Sequence, residues 1–436
     1  MVIQEIHYTD YRNLADCTVP FCEGMNVLHG RNAQGKSNIL EGIYYFARGR
    51  SFRGAHDREL VRFSAPYARM RLTFLREGHR YPTELEAYLP RAGKKRFTKN
   101  GAPLSSVVEM VGNLRAVLFC PAHLTMVTGG PLERRTFLDI ALSQLSRTYL
   151  TALRRYVKLL AERNALIKQA DGARSVSETE WAVYEEGLAQ TGAVIGAFRR
   201  EYVGRLSASV GAYFDGLNAF GNPIGAEIPT VQYISHSCAE DDAETTFLTG
   251  DTVEPPSVMT DRLRERLSAN RDREIAAGTT LYGIHKDDVR LTLNGREAKL
   301  YASQGQQRSL VLALKLAEGE IAGEIGGEVP VFLLDDVFSE LDERRRAFML
   351  EMLTGRQIIV TSCEPEVIPE LYRAPHIAFR EVRAGDVAGQ CADSIAADAD
   401  DTPSDDTADE PERTMCGTRS EIPDGDGGED DLQRDP

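Results

Sequence analysis

The sequence predicts an α/β fold in which a head, written in two halves, is interrupted by an inserted helical arm. Three observations predict it. A glycine-rich segment, Gly30–Ser37, stands between an apolar run and an apolar-periodic stretch. Far downstream a second apolar run, Val329–Leu334, ends in Asp335 and Asp336. Between them, Leu132 to about Phe220 is helix-forming throughout.

Taken in order, alternation in Val2–Tyr8 and the apolar run Met25–His29 predict two strands. Ser37–Ala47 predicts a helix, with Ile39, Leu40, Ile43 and Tyr44 at helical spacing. Arg69–Leu75, Thr83–Leu89 and Leu114–Phe119 read as strands, and Arg91–Gly101 as a turn-rich basic segment. The character changes at Thr128-Gly129-Gly130-Pro131. Leu138, Ala141, Leu142 and Leu145 sit at i, i+3, i+4 and i+7, and Leu153, Val157 and Leu160 continue the stripe. With a break near Asp171–Ser175, this reads as a helical arm or a small bundle. A polar loop, Ser235–Pro256, precedes a further helix over about Val258–Ala277. Arg308–Ala322 is a periodic helix, and Val329–Leu334 and Gln357–Thr361 are continuous apolar runs suited to buried parallel strands. The expected division is 1–128 and 278–385 for the halves of the head, 129–277 for the arm and 386–436 for a tail.

Charge separates that tail from the rest. The 436 residues carry 51 Lys+Arg and 66 Asp+Glu, a net charge of −15. Asp386–Pro436 holds 17 acidic and 3 basic residues, which leaves 49 acidic and 48 basic in 1–385. The body is near neutral, so the overall acidity does not exclude a nucleic-acid partner. The tail has too few apolar groups to offset ordering entropy and is expected to be disordered, serving solubility or mimicking nucleic acid. No apolar stretch approaches the roughly 18–20 residues of a membrane span, and the N-terminus lacks a basic-then-apolar signal pattern. Seven scattered cysteines without CxxC spacing point to a reduced, cytoplasmic protein with neither a disulfide framework nor a zinc site.

Gly30-Arg31-Asn32-Ala33-Gln34-Gly35-Lys36-Ser37 fits GxxxxGK[ST], between a predicted strand and a predicted helix. Glycines let backbone N–H groups close on phosphate, and the helix start adds its positive dipole end. Lys36 neutralises β/γ oxygens, Ser37 offers a hydroxyl to Mg²⁺, and Asn38 continues the phosphate-binding run. ATP and Mg²⁺ are therefore the expected cofactors. Asp335, at the end of its strand, is placed to hold the same metal, and Asp336 to polarise an attacking water; with Lys36 it forms the expected catalytic pair. Ser339-Glu340-Leu341-Asp342 follows, where Ser339 and Asp342 also suit helix N-caps. Ser303-Gln304-Gly305-Gln306 opens another helix, which reads either as a plain capped start or as a second anion-binding end. One purpose for a second end is to meet the γ-phosphate held by another copy of the chain.

These elements, in this order, resemble the ATP-binding-cassette heads of the SMC and Rad50 class, and more closely the RecF family of bacterial recombination-mediator ATPases. The residues that carry the resemblance are Gly30–Arg53, Phe119–Asp139, Gly283–Glu318 and Leu333–Asp342. It spans essentially 1–385. The resemblance implies ATP sandwiched between two protomers, with Ser303–Gln306 of one completing the site of the other and Ser339–Asp342 as the D-loop. It implies a weak, DNA-dependent ATPase acting as a switch. ATP-driven dimerisation would clamp single-stranded, gapped or junction DNA and slow hydrolysis would reset it. It also implies work with RecR and RecO toward loading RecA, and support of the SOS response. The sequence departs from the family at Ile284, where proline is usual, and at Lys286, where arginine is usual. Thr361-Ser362 stands where many cassette ATPases place a histidine.

For DNA contact the basic clusters are Arg91, Lys94, Lys95, Arg96 and Lys99; Arg48, Arg50 and Arg53; and Arg154, Arg155 and Lys158. Each also reads as a solvated face. None suggests base readout, so structure-directed binding is expected. The alternative is the ATPase subunit of another SMC-like system, in defence or as a partner-regulated effector. Such chains usually append a nuclease domain. A transport ATPase subunit is a third reading, against which Phe119–Asp139 and Gly283–Glu318 argue.

Overall fold

The computed structural model describes residues 1–170, 176–218, 227–235, 256–363 and 377–388. The predicted break at Asp171–Ser175, most of the loop Ser235–Pro256 and nearly all of the acidic tail lie outside them.

Among the described residues, the head is built on a six-stranded sheet in the order Asp386–Ala388, Ile377–Arg383, Met25–His29, Ile358–Ser362, Val331–Asp335, Ala116–Phe119. Every pairing is parallel except that of the edge strand Asp386–Ala388. Its central strands Ile358–Ser362 and Val331–Asp335 are buried nearly throughout because both faces are covered, whereas Ile377–Arg383, next to the edge, alternates. Met25, Val27, Phe332, Leu334 and Val360 enter one core, beneath the helices. Leu28, Val331, Leu333 and Ile359 enter another, shared with the helix Lys36–Arg48 and a second sheet. Composition assigns Asp386–Ala388 to the tail, yet these residues pair with Glu381–Arg383 and belong to the sheet.

The second sheet is antiparallel, in the order Leu14–Pro20, Val2–Tyr11, Tyr67–Leu75, Thr83–Pro90, Arg96–Lys99, Ala102–Leu104. Strict alternation along Tyr67–Leu75 buries Ala68, Met70, Leu72 and Phe74 and leaves the intervening residues on the outer face. The segment Arg91–Gly101, expected as turns, supplies a strand. Phe97 anchors it inward, and Asn100-Gly101, both at positive φ, turns it back into a hairpin.

Helices Pro131–Leu145, Arg147–Ala170 and Glu178–Asn218 occupy the predicted region. Leu138, Ala141 and Leu142 are buried as predicted, but Val157 is 57% exposed because the buried face of Arg147–Ala170 runs through Tyr149, Tyr156 and Arg163. The helix expected over Val258–Ala277 is two, Pro256–Ala269 and Arg271–Ala277. They part at Asn270, whose side-chain amide donates to the Arg266 carbonyl. The insertion is not wholly helical. Pro229–Ile234 pairs antiparallel with Asp288–Leu293, which pairs in turn with Arg296–Glu297. The 41-residue helix Glu178–Asn218 packs along Arg147–Ala170, Pro256–Ala269 and the helix Gln304–Gly326. Insertion and head therefore share one core, running from Tyr156 and Ala189 to Leu314 and Phe332.

Two of the four segments that carry the family resemblance meet here. Arg134 grips Asp288 with two nitrogens, at 2.8 and 2.9 Å, and Arg135 donates to the Asp287 carbonyl at 2.6 Å. Arg199, almost wholly buried, bonds Asp139 at 2.6 Å and the Ile284 carbonyl at 2.9 Å. The Asp287 carboxylate accepts from the Tyr233 hydroxyl at 2.5 Å. Buried charges tied by several hydrogen bonds hold one geometry, because leaving any one unpaired is costly. Ile284 fills the core at this junction, whereas Lys286 is exposed.

Candidate functional site

The strand Met25–His29 delivers its chain into Gly30–Gly35 at one end of the parallel sheet. Gly30 and Gly35 have φ of 141° and 121°, and a Cβ on Gly30 would stand 2.5 Å from the Val382 carbonyl oxygen. Only glycine fits both positions. The helix Lys36–Arg48 begins without a side-chain cap, so its first N–H groups point outward unclaimed by any described side chain. Lys36 is 7% exposed. Its ammonium arches over the loop to the carbonyls of Gly30 and Arg31, at 2.6 and 2.9 Å.

Ser37 and Asp335 meet across 298 residues, the hydroxyl donating to the carboxylate at 2.7 Å. The Thr361 hydroxyl donates to the same carboxylate oxygen at 2.8 Å and accepts from the Asp336 N–H at 3.0 Å. Thr361 thus couples the two aspartates and does not stand as an independent reach toward phosphate. Asp336 has φ 53°, a left-handed conformation that aspartate tolerates better than most residues. Its carbonyl accepts from the Ser339 hydroxyl at 2.8 Å. Asp342 caps the helix Glu343–Met352 through the Arg345 N–H, so its N-cap reading holds. Ser339 instead lies inside the turn Phe338–Glu340 with its hydroxyl donated to Asp336, and caps no helix. The Leu341 side chain is buried, and the Glu340 carboxylate lies 3.8 Å from Arg308.

Ser303–Gln306 lies at the start of the helix Gln304–Gly326. Ser303 accepts from the Gln306 N–H while the Gln306 side chain reaches back to the Ser303 N–H at 2.7 Å, a capping box. Gln306 also donates to Glu227. The side-chain hydrogen bonds described for these residues stay among themselves and Glu227, and none runs to Gly30–Asn38.

Three supports of the loop escape sequence reasoning. Asn13 donates to the Gln34 carbonyl at 2.8 Å and accepts from Asn38 at 2.8 Å. The Ala384 and Gly385 N–H groups donate to the Gln34 side-chain and main-chain oxygens, at 2.6 and 3.0 Å. The Cys363 thiol donates to Asn32 at 2.8 Å and lies 3.6 Å from the Lys36 ammonium. An asparagine after the left-handed Arg12, and glycine at 385, are weak sequence signals for turns only.

The first two basic clusters, separate in sequence, join in space. Lys95 pairs with Asp57 at 2.8 Å and donates to the Gly49 carbonyl and the Tyr45 hydroxyl. Several of these cations are already engaged. Arg91 binds backbone carbonyls of 61–65, Lys99 bonds Asn113 at 2.7 Å, and Arg96 lies 4.6 Å over the Tyr88 ring. Arg53 bonds the Asn38 side chain at 2.9 Å, and burial lowers the Arg48 guanidinium from its ordinary value. Arg50 and Lys94 are exposed, as are Arg154, Arg155 and Lys158 on the helix Arg147–Ala170.

Mg²⁺ prefers hard oxygen donors, few of them from protein, with phosphate and water completing its shell. The Ser37 hydroxyl and the Asp335 carboxylate, 2.7 Å apart at the mouth of the phosphate loop, fit that demand.

The sequence pattern of the family described as RecF/RecN/SMC N terminal domain matches residues 2–383. A protein of Symbiobacterium thermophilum named DNA replication and repair protein RecF is 39% identical over 389 residues, covering 89% of this chain and 98% of its own. One of the same name from Thermoanaerobacter sp. is 34% identical over 361 residues, 83% of this chain and 94% of its own. The solved structure titled recombination mediator protein RecF-ATPrS in RecFOR pathway superposes with a TM-score of 0.79 at 31% identity, covering 89% of this chain and 98% of its own. An Smc head domain from Pyrococcus furiosus, at 16% identity and a TM-score of 0.51, shares the fold.

Proposed function

The chain belongs to the RecF/RecN/SMC N-terminal-domain family, and from that premise we propose that it is an ATP-binding DNA replication and repair protein of the RecF kind. The observation that carries this reading is the junction of Ser37 and Asp335 at 2.7 Å beneath a helix start with no side-chain cap. In the division proposed, 1–128 and 278–385 form the ATPase head, 129–277 the arm and 386–436 the tail.

Gly30–Asn38 wraps the triphosphate with backbone N–H groups, and Lys36 leaves its carbonyls for the β/γ oxygens. Ser37 and Asp335 hold Mg²⁺, which when bound neutralises charge on the phosphates. Asp336, fixed by Thr361, orients the attacking water. Ser303–Gln306 meets the γ-phosphate held by a second copy, with Ser339–Asp342 beside that contact. ATP thereby drives dimerisation and hydrolysis reverses it, a slow switch rather than a metabolic ATPase. The dimer clamps single-stranded, gapped or junction DNA along the joined basic face that carries Arg50 and Lys94, using phosphate contacts without base readout. It acts in the cytoplasm with RecR and RecO to aid RecA loading, and so supports the SOS response. Relatives named DNA replication and repair protein RecF, and a RecF structure titled as part of the RecFOR pathway, support this reading.

The mass of Asp336→Asn in solution, measured by light scattering with and without Mg-ATP, tests the mechanism. A shift from monomer to dimer on ATP is expected. A monomer under both conditions, with ATP bound, would break the shared-site arrangement.

A further inference from the structure

The most exposed large apolar side chain described is Phe63, at 97%, and the backbone that carries it is held with unusual thoroughness. It sits in a turn closed by the Ala65 N–H on the Arg62 carbonyl at 2.9 Å. From one side the Arg62 N–H donates to the Asp10 carbonyl at 2.8 Å. From the other the Arg91 guanidinium gathers the turn's carbonyls, bonding Ala65 at 3.0 Å, Arg62 at 2.6 Å and Phe63 at 2.8 Å. A phenyl ring on a loose loop folds down onto the nearest apolar surface, because that removes its area from water. Here a guanidinium spends its donors on fixing the backbone beneath the exposed ring.

The surroundings say what the ring meets. The turn follows the short helix Asp57–Leu60, where Arg58 and Glu59 are both exposed. Lys95 and Asp57 neutralise each other, and Arg62 lies 3.8 Å from Asp10, which leaves Arg58 and Arg91 as the cations beside the turn without a carboxylate partner described. Arg91 and Lys95 tie it to the joined basic face. An apolar partner would gain little from that border, whereas a flat, π-faced group on a polyanion gains from both the ring and the cations. We propose that Phe63 is a stacking platform for an unpaired nucleobase at the edge of the DNA track, the element that tells a single-strand/double-strand boundary from plain duplex. The inference rests on the DNA-clamp reading and deepens it. Phosphate contacts alone read strandedness poorly, since every nucleotide keeps its phosphate charge whether paired or not, while only an unstacked base offers a free face to a ring.

The test uses the full chain with Mg-ATP and two DNAs, a primer–template junction and a blunt duplex of equal length. Each carries 2-aminopurine, at the first unpaired template position in one and mid-helix in the other. For the native chain the junction binds more tightly than the duplex, and its probe fluorescence changes on binding. Phe63→Ala, which removes only exposed atoms, is expected to keep the native melting temperature and duplex affinity. It should lose roughly tenfold in junction affinity, since stacking on one aromatic ring is worth that order. It should also lose the probe response, and Phe63→Trp should restore both. Phe63→Ala with full junction preference and probe response would overturn the proposal, leaving the ring to a protein contact. A native chain that binds neither DNA would overturn the clamp reading beneath it, a failure distinguishable because it precedes any substitution.

Discussion

Two helix starts in this molecule look alike in sequence and differ in what their first N–H groups are doing. Gly35-Lys36-Ser37 opens Lys36–Arg48 with no side-chain cap, on a loop turned by two positive-φ glycines and braced from three distant segments. Ser303-Gln304-Gly305-Gln306 opens Gln304–Gly326 with its cap already made, serine and glutamine satisfying each other. An uncapped start held rigid is ready for an anion as it stands. A capped one has satisfied itself and has to trade its own hydrogen bonds for those of an incoming phosphate. The first suits a resident nucleotide and the second a contact made and broken, which is what a reversible dimer requires.

The comparison breaks most visibly at Lys36. Lys36→Ala is expected to abolish ATP binding, at least about a hundredfold by titration calorimetry, because it removes the ammonium that arches over the loop to the β/γ oxygens. Normal affinity would remove the phosphate-loop assignment. Next is Asp336→Asn, which keeps shape and hydrogen bonding but loses the anion that orients water. Turnover should fall roughly 10²-fold or more with ATP still bound. Unchanged turnover would place the base elsewhere. Thr361→Val deletes the hydroxyl that joins Asp335 to Asp336. A drop in turnover of about tenfold, larger than any change in ATP affinity, would show the pair acting through its coupling. An equal loss in both would make Thr361 a support of the loop alone. The smallest effect belongs to Ser303→Ala. Losing the cap should cost about 1 kcal/mol of unfolding free energy, read by denaturant titration, with monomer ATP binding intact. The bulkier Ser303→Arg should leave that binding alone and block ATP-driven association in light scattering. A dimer that still forms would refute the trans contact and sharpen Ser303–Gln306 into an ordinary helix start.

How far these elements were legible depends on how local their causes are. The phosphate loop, its strand and its helix are set by neighbours in sequence, and the glycines announce the backbone they need. Val331–Asp335 reads clearly because a strand buried on both faces is apolar along its length, here from Val331 to Leu334. Pro229–Ile234 and Asp288–Leu293 are not legible, since each is a strand only because the other lies beside it across the helices between. Asn270 splits a helix by a single local hydrogen bond that periodicity cannot see. At the site, the residue types that carry charge were legible and their braces were not. Ala384 and Gly385 act through main-chain N–H groups, which every residue but proline possesses, and Asn13 through a side-chain amide whose partners lie more than twenty residues away. Arg91 shows the converse. Its charge drew it into a DNA cluster, while its place in the fold gives its donors to carbonyls.

The bracing of Gln34 by Ala384 and Gly385 also has a meaning in time. The motif that would take the triphosphate leaves the ribosome early, but the strands that flank Met25–His29 in the sheet, Ile358–Ser362 and Ile377–Arg383, and the amides of Ala384 and Gly385 are translated more than 300 residues later. At about 5–20 residues per second, roughly 20–70 s of synthesis separate the loop from its fastenings. A nascent chain would carry the full signature of a nucleotide site and yet have no competent one until nearly all of its head had emerged. Truncation at the C-terminal edge of the head would then silence a motif written at the other end of the message.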